Sequence, residues 1–207
     1  MPGSVRVKYM PYNLDFALSV MERIAKGIDP EFCMNEKAKP VYEQMIKFIH
    51  ADPEFNGDIE KGFILLGPTG TGKTMAMEVL QRYRQIDNTK IIVEGKVKSM
   101  NFDVTRSVKI VSDYANEGID GIELYTRRLV ICIDDLGTEP DTAKNYGNTI
   151  DVIGYILAER YAKRLMTLAT TNLTYTALES RYDDRIMSRM RALFNFIEMN
   201  DIDYRKK

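Results

Sequence analysis

The chain has 207 residues, of which 44% are hydrophobic and 29% charged, and its formal net charge is −1. That balance describes an ordinary folded protein of one large domain, or of one domain with a small appendage, and excludes a disordered chain. It also excludes a global basic field, so any nucleic-acid contact must come from a local patch.

A single histidine, His50, and the distant cysteines Cys33 and Cys132 leave no metal-ligand spacing and no disulfide framework. A reducing, cytoplasmic-type compartment is therefore expected. No apolar run reaches membrane-spanning length and the first residues lack a signal-peptide core, so no membrane partner is expected.

Residues 1–12 read as an arm of uncertain order. Asn13 is placed to cap a helix from Leu14 to about Lys26, with Ala17, Met21 and Ile24 on one face and Gly27 as its stop. Pro40 opens a second helix carrying Val41, Met45 and Ile49, and it ends near His50, which reads as a surface or helix-end histidine. A turn at Asn56-Gly57-Asp58 leads into the buried-strand run Phe63–Leu66.

That strand feeds Gly67-Pro68-Thr69-Gly70-Thr71-Gly72-Lys73-Thr74, which fits the phosphate-binding loop pattern G-x-x-x-x-G-K-[ST]. Its glycines let the backbone take positive φ and approach an anion. The loop amides and the following helix N-terminus aim donors at the phosphates. Lys73 adds a point charge, and the Thr74 hydroxyl is a candidate ligand for Mg²⁺. After the loop, Ala76, Val79, Leu80, Tyr83 and Ile86 recur at helical spacing.

Residues 90–104 alternate as one strand or two short ones, and a helix is expected over about Thr105–Asn116 with Val108, Val111 and Ala115 inward. Gly118 and Gly121 then break it, leaving a connector. Leu129–Ile133 is a continuous apolar run, as a strand buried on both faces requires. A helix is expected from Gly147 to about Lys163, with Ile150, Ile153, Leu157 and Tyr161 on one face. A short strand follows at Leu165–Thr170, then a helix at Asp183–Leu193 and a final strand at Phe194–Met199. Apolar strands alternating with helices argue an α/β parallel sheet with helices on both faces.

Three further stretches carry chemistry. Asp134-Asp135-Leu136-Gly137 follows a buried strand, the second element of phosphate-loop NTPases. Asp134 would hold the metal shell and Asp135 would polarise the attacking water. Thr170-Thr171-Asn172 ends the next strand with neutral donors, Asn172 being the best placed to orient water or meet a γ-phosphate. Arg185 and Arg189 stand one helical turn apart, either as guanidinium groups completing a nucleotide site from outside or as a solvated face paired with Asp183 and Asp184.

The order of these motifs, with Ile133-Asp134-Asp135-Leu136-Gly137-Thr138-Glu139-Pro140, Ala169-Thr170-Thr171-Asn172 and Asp184-Arg185-Ile186-Met187-Ser188-Arg189 together as the specific part, resembles the AAA+ ATPases of the DnaC/IstB type. These are bacterial and phage helicase loaders and transposition helpers, related to DnaA-type initiators. The resemblance implies a three-layer P-loop NTPase with a parallel sheet and no C-terminal helical lid. A short N-terminal helical extension over 1–39, a candidate partner-binding arm, would precede an ATPase core over 40–207.

It further implies ATP and Mg²⁺, self-assembly on ATP binding, and a replicative helicase or a transposase as partner. Asn172 matches the first sensor of such enzymes, Arg185 the trans-acting arginine finger with Arg189 second, and Arg205 a weaker sensor-like position. Asp135 stands where most AAA+ proteins carry Glu. The initiator-related branch lines a single-stranded DNA channel with an added helix, and Arg106, Lys109, Tyr114, Tyr125, Arg127 and Arg128 occupy the matching region here. A helicase loader is the leading expectation. Its rivals are a transposition helper, a nucleotide-sensing adaptor with little turnover, and a nucleoside-monophosphate kinase, the last disfavoured by the two polar strand ends.

Overall fold

A computed structural model describes residues 4–199. In chain order the first half comprises β1 (Arg6–Val7), α1 (Leu14–Ile28), α2 (Lys39–Ile49), β2 (Gly62–Leu66), α3 (Lys73–Ile86), β3 (Lys90–Val93), β4 (Lys96–Ser99) and β5 (Val104–Arg106). There follow α4 (Ser107–Glu117), α5 (Ile119–Arg127), β6 (Val130–Asp134), β7 (Ala143–Asn145), β8 (Asn148–Ile150) and α6 (Val152–Ala162). The last elements are β9 (Met166–Thr171), α7 (Tyr175–Arg181), α8 (Asp184–Leu193) and β10 (Phe194–Glu198).

Five of the strands form one parallel sheet in the order β10-β2-β9-β6-β5. Every residue of β2, β6 and β9 is buried, which is why Phe63–Leu66 and Leu129–Ile133 read as unbroken apolar runs rather than alternating ones. Successive side chains point to opposite faces. Phe63, Leu65, Val130, Cys132, Met166 and Leu168 pack with α1, α2 and α3, whereas Ile64, Leu66, Ile131, Ile133 and Ala169 pack with α4, α5, α6, α7 and α8. The result is a three-layer α/β sandwich, as the alternation of elements predicts. None of the described helices is long and apolar enough to cross a membrane.

From residue 4 onward the N-terminal arm is more ordered than its composition suggests. Asn13 caps α1 as expected, its side chain accepting from the Phe16 amide at 2.9 Å, but the helix runs through Gly27 to Ile28. β1 joins β3 and β4 in a small antiparallel sheet, with Arg6 opposite Ile92 and Val7 opposite Ile91. α1 lies along α3, so this arm shares the core of the helix that follows the glycine-rich turn.

His50 does end α2, but it is fully buried and not at the surface. Its ring stacks on Tyr12 at 4.1 Å, and its nitrogens lie 3.2 Å from the Met10 carbonyl and 3.3 Å from the Tyr83 hydroxyl. Burial lowers its pKa despite the Asp87 carboxylate nearby. A base whose folded pKa lies below its unfolded value adds no penalty above about pH 6.5 and destabilises the fold as pH drops beneath it. Between pH 7.5 and 5.5 the melting temperature should fall further for the wild type than for His50→Gln; parallel profiles would remove His50 as the cause.

Four further expectations are corrected. The region after Gly118 is a second helix, α5, and not a connector. On α4, Ile110, Val111 and Tyr114 face inward, leaving Val108 and Ala115 exposed. Gly147 belongs to the β7–β8 hairpin turn, and α6 starts later, capped by Asp151 accepting from the Gly154 amide at 2.8 Å. Ile86 on α3 and Tyr161 on α6 are exposed where the spacing put them inward.

Candidate nucleotide site

The glycine-rich turn leaves the C-terminal end of β2, near the middle of the sheet, where open α/β folds place ligands. Gly72 takes φ +86 immediately before α3, a conformation that a side chain would strain. Lys73 is buried at the first turn, and its ammonium donates to the carbonyls of Gly67 at 2.6 Å and Pro68 at 2.8 Å. Gly67, Pro68, Thr69, Gly70, Thr71, Gly72, Lys73 and Thr74 thus form one tight turn around the start of α3. The Thr71 hydroxyl ties it by donating to the Pro68 carbonyl at 3.1 Å.

Strand order then brings the acidic pair to this turn. β9 separates β2 from β6, so residues at its C-terminal end stand between the glycine-rich turn and Asp134. Asp134 is 1% exposed, and two hydroxyls donate to its carboxylate: Thr74 at 2.9 and 3.1 Å, and Thr170 at 2.7 Å. The Thr170 hydroxyl in turn accepts from the Asp135 amide at 2.9 Å. Thr170 therefore fixes both carboxylate residues, whereas the sequence pointed its strand end toward water or a γ-phosphate.

Asp135 departs from the strand with φ +55, a left-handed conformation uncommon outside glycine that Asp tolerates better than most residues. Its carbonyl accepts from Ser107 at 2.9 Å and Thr138 at 2.7 Å, which holds that turn. The Asn172 amide donates to its carboxylate at 3.1 Å. Asp134, Asp135, Asn172, Thr74 and the lysine turn are thus brought together from three separate stretches. Beneath them Cys132 is fully buried, which pushes its thiol pKa well up and leaves it as packing rather than a nucleophile.

Arg185 and Arg189 do not join this cluster. α8 packs on the opposite face of the sheet from α3, and Arg185 is exposed. Among the described residues neither arginine makes a hydrogen bond or ion pair, so the pairing with Asp183 and Asp184 does not form; Asp183 instead caps α8 through the Ile186 amide at 2.7 Å. Arg205 lies outside the described residues.

Most of the candidate DNA-contact residues are engaged within their own chain. Tyr114 is buried, which corrects its reading as a stacking ring, and Tyr125 donates to Asp113 at 2.9 Å. Lys109 pairs with Asp113, Arg127 with Glu123 at 2.6 Å and Arg128 with Asp103, while Arg106 is exposed.

The donor set suits a hard cation: a threonine hydroxyl and a carboxylate on adjoining elements are oxygen ligands of the kind Mg²⁺ takes. Among the described residues no group of His, Cys, Asp or Glu gathers to hold a metal unaided. Phosphate oxygens and water would therefore have to complete the shell.

A parallel sheet with a glycine-rich turn after its second strand from the edge, an acidic pair two strands on and an asparagine between them is the AAA+ P-loop fold. Solved structures of that class share it. DnaI aligns with a TM-score of 0.62 at 19% identity, over 96% of this chain and 95% of its own. The DnaC helicase loader gives 0.60 at 19% identity, over 83% of this chain and 94% of its own. The replication initiator DnaA, bound to AMPPCP and single-stranded DNA, gives 0.55 at 15% identity, over 82% and 48%. At such identities the likeness establishes the fold. No family model matches the chain, and no curated protein matches it in sequence.

Proposed function

We propose that the protein is an ATP-dependent helicase loader that binds and hydrolyses ATP at interfaces between its own copies and acts on replication machinery. The observation that carries the ATP site is the convergence of the Thr74 and Thr170 hydroxyls on the buried Asp134 carboxylate beside the lysine turn. In this reading the turn amides and Lys73 bind phosphates, and Thr74 and Asp134 hold Mg²⁺. Bound there, the ion would neutralise charge on the phosphate oxygens. Asp135 accepts the proton of the attacking water, and Asn172 orients that water through the carboxylate it already touches. Arg185 supplies charge to the neighbouring copy's site.

The loader role is supported by the fold shared with the DnaC helicase loader, and single-stranded DNA as a contact by the fold shared with a DNA-bound initiator. The test joins capture to turnover. A tagged chain expressed in its host should retain a replicative helicase, and purified chain should bind ATP but hydrolyse it slowly until it assembles. Capture of a transposase would move the protein to the transposition helpers. Tight binding with no rise in turnover on assembly or with single-stranded DNA would make it a nucleotide-sensing adaptor.

A further inference from the structure

Beyond the acidic pair lies a buried carboxylate that the chemistry above does not use. Glu139 is 5% exposed, and its side chain is fully engaged. One oxygen accepts from the Gly137 amide at 2.8 Å, and the other accepts from the Tyr182 hydroxyl at 2.5 Å. Arg181 reinforces the contact, donating to the Glu139 carbonyl at 2.8 Å and lying 3.5 Å from its carboxylate. A second arm of the same guanidinium reaches Asp141 at 2.7 Å.

Both ends of this connection matter. Gly137 belongs to the turn that begins at Asp135, and that turn is held by Ser107, Thr138 and the Leu136 amide bonded to the Thr170 carbonyl at 2.8 Å. Tyr182 ends α7, and the next residue, Asp183, is the cap of α8. Arg185 stands in the first turn of that helix. Burying a carboxylate is costly unless every donor is supplied, and here a backbone amide, a phenol and a guanidinium supply them. A mere surface turn between β6 and β7 has no need of such an arrangement.

We infer that Glu139 and Tyr182 are positioning residues that fix the start of α8 to the acidic turn of the same chain, and so set where Arg185 is presented to the neighbouring copy. The inference rests on Arg185 serving that neighbouring site. Tyr182→Phe is the informative change, because it keeps the buried ring and the Gly137–Glu139 bond and removes only the hydroxyl.

The test uses mixed assemblies of two inactive chains. A Lys73→Ala chain has no working turn of its own but carries an intact α8, so it can only give an arginine. An Arg185→Ala chain has an intact site but no arginine to give, so it can only receive one. Mixing them should restore turnover. Adding Tyr182→Phe to the giving chain should lower the restored rate by at least about tenfold, since misplacing a charged group by an ångström is that costly. Adding it to the receiving chain should leave the rate within about twofold. Equal rates with either giving chain, or equal losses on both sides, would overturn the inference and leave Tyr182 as ordinary packing. If the parent pair restores nothing, the trans role of Arg185 fails and this inference falls with it.

Discussion

Alanine at Arg185 should leave ATP binding unchanged and cut turnover of the assembled protein by about 10³–10⁵, the contribution an arginine finger generally makes. The side chain is exposed and makes no hydrogen bond or ion pair among the described residues, so its loss should alter stability by no more than about 0.5 kcal/mol. Lysine should not substitute for it, because an ammonium cannot span two phosphate oxygens as the planar guanidinium does. Arg189→Ala, one turn further along α8, should have the smaller effect. The measurements are nucleotide affinity for each variant, and turnover as a function of protein concentration. Loss of ATP binding in Arg185→Ala, or full turnover when assembled, would remove the residue from its assigned role.

The largest structural effect is expected at Gly62, the first residue of β2. A β-carbon there would lie 1.7 Å from the Thr167 carbonyl oxygen and 2.6 Å from its carbon, both backbone atoms of β9. No rotamer change relieves such a contact, because the two strands are paired along Ile64–Leu66 and Ala169–Thr171. Gly62→Ala must therefore pry β9 from β2 at one end, at a cost of about 3 kcal/mol or more. In a chain this size that lowers the melting temperature by roughly 6–12 °C. The site should loosen too, since β9 leads directly into Thr170 and Asn172. Gly27→Ala is the contrast: Gly27 lies within α1, nothing stands within 4 Å, and alanine should stabilise by about 0.4–1 kcal/mol. A Gly62→Ala protein melting within two degrees of wild type would show that the sheet yields where the packing says it cannot.

The convergence at the candidate site was legible for the turn, the acidic pair and Asn172 because those parts are local signals. The glycine-rich turn, the acidic pair after an apolar strand and the polar end of the next strand each occupy a few contiguous residues. Strand order then brings them together without further help from side chains. Thr170 was harder to single out, because its importance lies in one hydroxyl that bridges Asp134 and the Asp135 amide across the sheet. Glu139 and Tyr182 were missed outright: no periodicity links two residues 43 apart that meet through one hydrogen bond.

Secondary structure failed where tertiary context outweighed pattern. Tyr146-Gly147 reads as a helix approach, yet positive φ at both residues turns it into a hairpin tip. His50 reads as a helix-end histidine because its burial depends on Tyr12 and Met10, forty residues away, folding back over it. For His50 the deciding partners are remote and local composition carries no trace of them, whereas the hairpin closes locally between Asn145 and Asn148.

The bond of α1 to α3 also has a mechanical side. α3 is a rod of 14 residues, about 21 Å long, whose first two residues are Lys73 and Thr74. With α1 laid along that rod and β1 stitched to the strand just past its far end, residues 4–28 form a handle on it. A partner that tugged on the handle would load the rod along its length and deliver strain to the glycine-rich turn. Grip on the arm and chemistry at the turn would then be joined by a single stiff strut.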